Sequence, residues 1–296
     1  MTTHAHRFGD LAALAATLDR PPTGATEPGD WELLRPRRSA PVQGDAVPPM
    51  LQAIDLVKRY ELGRQSVDAL RGVSMSVQAG EFIALMGPSG SGKSTLLQLI
   101  GGLDRPTSGK VVFDGRDISR LRDGQATRLR RERTGFVFQA FNLIPLLTVR
   151  ENVALPFTIH RGAPSRREVS DRVEQVLELV ELTGKEKHRP DQLSAGEQQR
   201  VAVARALVTR PSVILADEPT GNLDYTTGGE ILDALWRSCD QGGQTVVLVT
   251  HDARAAAYAD RVLVIGDGRI TDEIVLGRRN DHTAAPLITR LAQIGL

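Results

Sequence analysis

The chain has 296 residues, of which 41% are hydrophobic and 25% charged, as is typical of a folded protein with one large or two ordinary domains. Its 37 basic and 36 acidic residues nearly cancel, so overall charge does not predict binding to nucleic acid or to an anionic membrane. A single cysteine, Cys239, excludes an internal disulfide. No stretch approaches the roughly 18 consecutive apolar residues of a membrane-spanning helix, so any membrane role is expected to require a partner.

The first 50 residues differ in composition from the rest of the chain. They are rich in Ala, Pro, Gly and Thr, and residues 1–50 are therefore predicted to be a flexible N-terminal extension. The basic cluster at residues 35–38 is interpreted as a solvated charge run, with a contact to acidic lipid or a partner protein as the alternative. The folded domain is expected to begin at Leu51.

From Leu51 onwards, short runs of β-forming residues alternate with longer helical patterns. Several runs are apolar on both alternating faces, which is typical of strands in a parallel sheet that helices cover on both sides. The fold class is therefore predicted to be α/β with a mainly parallel sheet. The predicted strands are residues 81–86, 135–138, 213–216, 245–249 and 262–265.

The strand pattern stops between Phe141 and His188. Residues 165–182 instead place valines and leucines at the spacing of one helical face. This pattern predicts a helical subdomain at about residues 141–190, inserted in the α/β domain. In the C-terminal tail, residues 273–296, an amphipathic pattern over residues 284–296 predicts a last helix.

A glycine-rich segment, residues 87–95, follows the predicted strand that ends at Met86 and opens a helical pattern. Its spacing and its position between strand and helix predict a phosphate-binding loop. The glycines allow successive backbone N–H groups to face an anion, Lys93 reaches the outer phosphates, and Ser94 is placed to ligate Mg²⁺. A glycine turn that binds nothing is the disfavoured alternative. The predicted nucleotide-binding residues of the loop are Gly87, Pro88, Ser89, Gly90, Ser91, Gly92, Lys93, Ser94 and Thr95.

Two carboxylates, Asp217 and Glu218, follow the apolar run at residues 213–216. An ionised pair is costly at the end of a buried strand unless something binds it. Asp217 is therefore expected to hold Mg²⁺, directly or through water, and Glu218 to orient or deprotonate the water that attacks the γ-phosphate. The alternative is an acidic helix cap that Pro219 ends, which the neighbouring phosphate loop disfavours.

His251 and Gln139 are polar residues that follow two other predicted strands. Because parallel strands deliver their carboxyl ends to one edge, where nucleotides bind in such folds, both are expected near the phosphate loop. A neutral His251 would contact the γ-phosphate and the attacking water, and Gln139 would complete the Mg²⁺ shell with its amide oxygen. A structural histidine and an ordinary polar strand terminus are the alternatives.

Residues 193–201 open another helical pattern, which is expected to run to about Thr209. Ser194 and Glu197 fit a capping box, and helix initiation alone would account for both. The functional interpretation is that the unpaired N–H groups of this helix N-terminus and the Ser194 hydroxyl form a second phosphate site. Two phosphate sites with one phosphate loop favour a dimer.

Together these residues resemble the nucleotide-binding subunits of ABC transporters over about residues 51–272. The matching parts occur in the family's order: phosphate loop, Gln139, a signature at residues 193–197, Asp217 with Glu218, residues 221–224, then His251. The resemblance implies a P-loop NTPase core with a mainly parallel sheet, N-terminal antiparallel β strands and a helical subdomain. In that family two cassettes sandwich two ATP molecules head to tail. Ser194, Gly196 and Glu197 of one subunit would then face the ATP on the other subunit's phosphate loop.

The resemblance assigns further positions. Tyr60 matches the aromatic residue that stacks on adenine, with a core strand aromatic as the alternative, and Asp224 matches the loop that crosses the dimer interface. Residues 141–152 and 221–224 look like the branch of lipoprotein-release, macrolide-efflux and cell-division cassettes. Two residues depart from the family pattern: Ala195 stands where glycine is usual, and Glu197 where glutamine is common. The Ala195 methyl is harmless if the position is helical, but crowds the γ-phosphate if the backbone must approach closely.

The expected function is that of an ATP-hydrolysing subunit with ATP and Mg²⁺ as cofactors, in which Glu218, His251 and Lys93 are catalytic. Its expected partners are a second copy of itself and a membrane permease, at the cytoplasmic face of the cell membrane, with residues 141–188 as docking surface. The alternative is a regulatory ABC ATPase that switches a membrane partner without transport. A DNA-repair or ribosome-associated ATPase would need a coiled-coil insertion or a second cassette. No nucleic-acid partner is expected, since the basic run at residues 128–133 has no interleaved aromatics.

Overall fold

Two β-sheets and the helices around them form the part of the chain that this computed structural model describes, residues 30–36, 48–63, 65–158, 164–279 and 285–294. One sheet is antiparallel and the other is mainly parallel. The predicted α/β class, with N-terminal antiparallel strands beside a mainly parallel sheet, is confirmed. No helix among the described residues combines the length and apolarity needed to cross a bilayer.

The antiparallel sheet has four strands in the order β2-β1-β4-β5. Its strands are β1 (Leu51–Leu62), β2 (Gln65–Val77), β4 (Ser108–Phe113) and β5 (Arg116–Asp117). Buried residues alternate with more exposed ones along β2 from Val73 to Val77, as expected for a sheet with one solvated face. The buried face, which includes Leu56, Val73 and Phe113, packs towards the second sheet.

The second sheet has six strands in the order β10-β9-β3-β8-β7-β6. Its strands are β3 (Phe82–Met86), β6 (Thr134–Phe138), β7 (Val213–Asp217), β8 (Thr245–Val249), β9 (Arg261–Gly266) and β10 (Arg269–Val275). All neighbours run parallel except the β9–β10 pair. Every residue of β3 and β8 is buried, which explains why these runs are apolar on both faces. The carboxyl ends of β3, β6, β7 and β8 therefore lie along one edge.

The described helices cover both faces of the six-stranded sheet. They are α1 (Lys93–Ile100), α2 (Asp123–Arg133), α3 (Val149–Thr158), α4 (Arg166–Leu179), α5 (Ala195–Leu207), α6 (Tyr225–Asp240), α7 (Ala253–Ala256) and α8 (Ala285–Ile294). Helices α3 and α4 lie within the segment predicted as a helical subdomain. Helix α5 ends at Leu207, slightly before the predicted end at Thr209.

Two hydrophobic cores lie on opposite faces of this sheet. Alternate strand residues such as Leu85 and Val247 pack with α1 and the antiparallel sheet. The intervening residues, such as Ala84 and Leu248, pack with helices α3 to α6 and α8. Because α1 lies in the first core, the loop that precedes it is fixed between the two sheets.

The N-terminal segment differs from the sequence prediction. A 3-10 helix, Asp30–Leu34, lies within the predicted flexible extension, yet Trp31 and Leu34 are only 1% and 2% exposed and join the larger core. The Gln244 side chain donates a 2.5 Å hydrogen bond to the Leu34 carbonyl. Residues 1–29 and 37–47 of the extension lie outside the described residues. At the other end, β10 continues to Val275, beyond residue 272. Helix α8 lies within residues 284–296, where the amphipathic pattern predicts a last helix, and it buries Leu287, Ile288 and Leu291. The domain boundaries themselves stay a prediction.

Candidate nucleotide-binding and catalytic site

The glycine-rich segment forms a tight loop between β3 and the first turn of α1. Gly87 and Gly92 have φ angles of 147° and 105°, which glycine adopts readily and other residues do not. A Cβ on Gly87 would lie 2.1 Å from the Ile265 carbonyl oxygen, and one on Gly92 2.5 Å from that of Ala69. The loop therefore requires glycine at both positions, for conformation and for space.

Lys93, at the start of α1, is 6% exposed and its ammonium lies inside this loop. Its Nζ donates hydrogen bonds of 2.9 and 2.8 Å to the carbonyls of Gly87 and Pro88. Burial lowers the pKa of Lys93, although the carboxylates of Glu218 and Asp217 oppose that effect. The buried Ser91 hydroxyl has no hydrogen-bond partner among the described residues. The loop thus presents a confined positive charge and an unused hydroxyl, which suit a phosphate group.

Ser94 and Asp217 meet where α1 begins and β7 ends. The Ser94 hydroxyl donates a 3.0 Å hydrogen bond to Oδ1 of Asp217. Burial raises the pKa of Asp217, while the Ser94 hydrogen bond partly offsets this rise. A hydroxyl and a partly buried carboxylate in contact are oxygen donors of the kind that Mg²⁺ prefers. The two residues assigned from distant parts of the sequence therefore form one potential metal site.

Glu218 and His251 form a second contact at the same edge. His251 Nδ1 lies 2.9 Å from Oε2 of Glu218, and their side chains are 66% and 24% exposed. Glu218 has a φ of 46°, which is uncommon for a residue with a side chain, and its N–H donates to the Val249 carbonyl. At this strained position the Glu218 carboxylate lies beside a histidine that is available for proton transfer.

Gln139 follows β6 and is held beside residues 221–224. Its Nε2 lies 3.4 Å from Oδ1 of Asn222, and the Asn222 amide donates in return to the Gln139 carbonyl at 3.1 Å. Gly221 leaves space for this contact, because a Cβ there would lie 2.8 Å from Gln139 Nε2. The predicted loop and the predicted Mg²⁺ ligand are thus in direct contact.

Tyr60, on β1, lies beside the phosphate loop. The Thr95 hydroxyl is within hydrogen-bonding reach of its phenol, which itself donates to Asp104 at 3.1 Å. Burial and the Asp104 carboxylate raise the pKa of Tyr60. Lys58 Nζ lies 4.8 Å from the centre of the ring and 2.8 Å from Asp104. The ring is half-buried and adjoins the proposed phosphate site.

The signature residues form the start of α5. Ser194 Oγ accepts from the Glu197 N–H at 3.2 Å, and Glu197 accepts from the Ser194 N–H at 2.8 Å, so the predicted capping box is present. Glu197 also pairs with Lys185 at 3.1 Å, and the Ser194 N–H holds its pKa below the ordinary value. Ala195 is exposed and helical. Gly196 packs so closely on Thr227 that a Cβ would lie 2.2 Å from its methyl group.

The predicted site residues therefore fall into two groups, one at the carboxyl edge of the six-stranded sheet and one at the start of α5. The phosphate loop, Asp217, Glu218 and His251 are linked at the carboxyl edge of the six-stranded sheet. Across the described residues, no hydrogen bond or ion pair joins Ser194, Gly196 or Glu197 to that loop. Asp224 caps α6, where it accepts from the N–H groups of Thr226 and Thr227.

Two further residues, which no sequence motif indicated, connect α5 to the segments that carry the predicted site residues. Gln199 is fully buried on α5, and its Nε2 donates to the carbonyls of Phe138 at 3.2 Å and Pro219 at 2.6 Å. Arg205, on the same helix, donates to the carbonyls of Phe141 and Asn142. A signal for Gln199 was available, since it interrupts the buried stripe formed by Gly196, Val203 and Ala206.

Comparison with known proteins identifies the class that this fold and site define. The ABC transporter family matches residues 70–221 of the chain. An uncharacterised ABC transporter ATP-binding protein of Thermotoga maritima is 50% identical over 221 residues, which span 75% of this chain and 93% of that protein. The chain therefore belongs to the ABC transporter family, and its described core is an ABC-type ATPase domain.

Two other relatives bear on assembly. The ATP-binding cassette MJ0796, from Methanocaldococcus jannaschii, is known as a dimer in a post-hydrolysis state bound to ADP and Pi. That structure has a TM-score of 0.72 and 45% identity, and the match covers 76% of this chain and 98% of the other. The macrolide export ATP-binding/permease protein MacB of Rhodopirellula baltica is 47% identical over 226 residues, 76% of this chain but 33% of MacB.

Proposed function

We propose that this chain is the ATP-binding subunit of an ABC transporter, which hydrolyses ATP as a head-to-tail dimer and drives a separate membrane permease. The observation that carries the proposal is the arrangement at one sheet edge. There, Lys93 lies within the phosphate loop, Ser94 contacts Asp217, and Glu218 contacts His251. This arrangement supplies phosphate binding, metal binding and a general base within one connected site.

Each residue has a distinct role in the proposed hydrolysis. Mg²⁺, held by Ser94, Asp217 and Gln139, would neutralise phosphate charge. Glu218 accepts a proton from the attacking water, whose oxygen bonds to the γ-phosphorus as the bond to the bridging oxygen breaks, releasing ADP and phosphate. His251 contacts the γ-phosphate, and Lys93 stabilises the charge that develops there.

The second half of each ATP site is proposed to come from a second copy of the chain. Ser194, Gly196 and Glu197 start a helix whose N-terminal N–H groups suit an anion. Among the described residues, no hydrogen bond or ion pair joins them to the phosphate loop of their own chain. Ser194 and Ala195 are exposed, as an interface requires. Tyr60 would stack on adenine. The dimeric assembly of MJ0796 supports this arrangement.

A membrane permease is the proposed partner of the dimer. The MacB relatives join an ATP-binding part and a permease part in one protein, which supports a permease function for the partner. The proposed docking surface is residues 141–188, where Leu146 is 78% exposed and Ile144 38%. The chain would then lie at the cytoplasmic face of the membrane.

The substitution Glu218→Gln tests the proposed hydrolysis. Removing the general base should lower kcat by roughly 10²- to 10⁴-fold, whereas ATP binding should persist and ATP-dependent dimers should accumulate. The measurements are steady-state phosphate release and light scattering with and without ATP. Glu273→Gln, which removes a carboxylate paired with Arg261, is the control and should leave turnover unchanged. Unchanged hydrolysis in Glu218→Gln contradicts the assignment.

A further inference from the structure

One buried side chain of helix α5 connects the helix that begins with the signature to the ends of two strands, β6 and β7. These ends lie at the carboxyl edge of the six-stranded sheet, which is called the catalytic edge below. Gln199 is 0% exposed, and its amide nitrogen donates to the Phe138 and Pro219 carbonyls. Phe138 directly precedes Gln139, and Pro219 directly follows Glu218. A single amide therefore bridges the backbone of the proposed Mg²⁺ ligand and that of the proposed general base.

A second side chain of α5 binds the segment that follows β6, at a point beyond Gln139. Arg205 donates to the carbonyls of Phe141 at 2.9 Å and Asn142 at 2.6 Å, and burial lowers the pKa of its guanidinium. Asn142 has a φ of 50°, so the chain turns sharply there. Gln139 consequently lies in a segment whose two ends are both bonded to the helix that begins with the signature.

The orientation of the Gln199 amide follows from its partners. Two carbonyl oxygens face Nε2, and a flipped amide would place Oε1 against both of them. In this orientation Oε1 is buried, and no donor reaches it among the described residues. Buried acceptors without a donor are uncommon, and such a group is sensitive to small displacements of the segments around it.

We propose that Gln199 is a positioning residue that couples the two ATP sites of the dimer. It transmits movement of Gln139 and Glu218, which belong to one site, to Ser194 at the start of α5, which belongs to the other. The coupling is reciprocal, so that a displacement of the signature also repositions the general base. This inference rests on the proposed function, because only a head-to-tail dimer places α5 between two ATP sites.

The chain offers a matched control in Gln244. This glutamine is also 0% exposed, its Nε2 donates to the Leu34 carbonyl, and its Oε1 likewise has no partner among the described residues. It precedes β8, at the opposite end of the strands from the catalytic edge. Gln199→Met and Gln244→Met therefore remove the same kind of buried hydrogen bond from two different places.

The experiment compares both methionine variants with the wild type, using the purified full-length chain. Both should show a similar decrease in Tm. Gln199→Met should also lower kcat by about 10- to 100-fold, because the general base is misplaced, while the Kd for ATP changes by less than about threefold. Its Hill coefficient for ATP should fall towards 1, whereas Gln244→Met should keep the wild-type coefficient and turnover.

The inference is overturned if the two variants behave alike, or if Gln199→Met weakens ATP binding in proportion to kcat. Failure of the proposed function is a separate result, because wild-type hydrolysis would then not depend on Glu218. Gln199→Glu provides a second test should the methionine variant not fold. The introduced carboxyl can donate a hydrogen bond to one of the two carbonyls only when it is protonated. The turnover of this variant relative to the wild type should therefore rise as the pH falls. A ratio that is independent of pH contradicts the inference.

Discussion

The two ends of the strands in the six-stranded sheet differ in the side chains that lie there. At the carboxyl end, polar side chains from the start of α1, the end of β7 and the residue pair that follows β8 meet at about hydrogen-bonding distance, and Glu218 has a strained backbone. At the amino end, apolar side chains of the N-terminal segment pack on the core, and Arg278 bonds the Gly80 carbonyl. The groups of the proposed chemistry lie at one end, and contacts of the N-terminal segment and of Arg278 lie at the other.

At the carboxyl end, the pKa values of two groups show that their charged forms are destabilised. Burial lowers the pKa of Lys93 and raises that of Asp217, so the protein destabilises the charged form of each group. Destabilised charged groups of this kind are characteristic of functional sites, which agrees with the roles proposed for Lys93 and Asp217. Trp31 and Leu34, by contrast, bury apolar surface without a role in the proposed chemistry.

The largest effect on stability is expected at the amino end. Trp31→Ala should lower the free energy of unfolding by about 3–5 kcal/mol, because a fully buried aromatic side chain leaves a cavity. The turnover of the folded variant should remain near the wild-type value. Urea denaturation and ATP hydrolysis measure the two quantities separately. Leu33→Ala is the matched control, since Leu33 lies in the same turn but is 49% exposed. Loss of turnover without loss of stability would contradict the division between the two ends.

The smallest effect is expected at the signature. Ala195 is exposed in the first turn of α5, so Ala195→Gly should lower the free energy of unfolding by at most about 1 kcal/mol. We expect kcat to remain within about twofold of the wild type, because a helical position accommodates the methyl group. A strong increase in kcat would instead indicate that the methyl crowds the γ-phosphate in the dimer. Steady-state kinetics at saturating ATP make the distinction.

The carboxyl end of the strands could be predicted from the sequence, whereas the buried N-terminal segment and the contacts of Gln199 could not. The phosphate loop, Asp217 and His251 follow apolar runs that end at one sheet edge, so strand periodicity and motif spacing locate them together. The burial of Gln199 could have been predicted from its place in the apolar stripe of α5, but its partners could not. They are backbone carbonyls, one of them 61 residues away, and every residue type has a carbonyl. Trp31 was missed because its short 3-10 helix has no periodicity and lies in a segment whose composition indicates disorder.

The central claim, that each ATP site is shared by two copies, is tested most directly by mixing two inactive variants. Lys93→Met removes the charge of the phosphate loop, and Ser194→Arg blocks the signature. Each variant alone should be inactive, but in an equal mixture half of the dimers contain one intact site. Turnover should therefore rise above that of either variant, to at most about one quarter of the wild-type value, which is the limit for sites that act independently. A mixture that stays as inactive as its components would contradict shared sites.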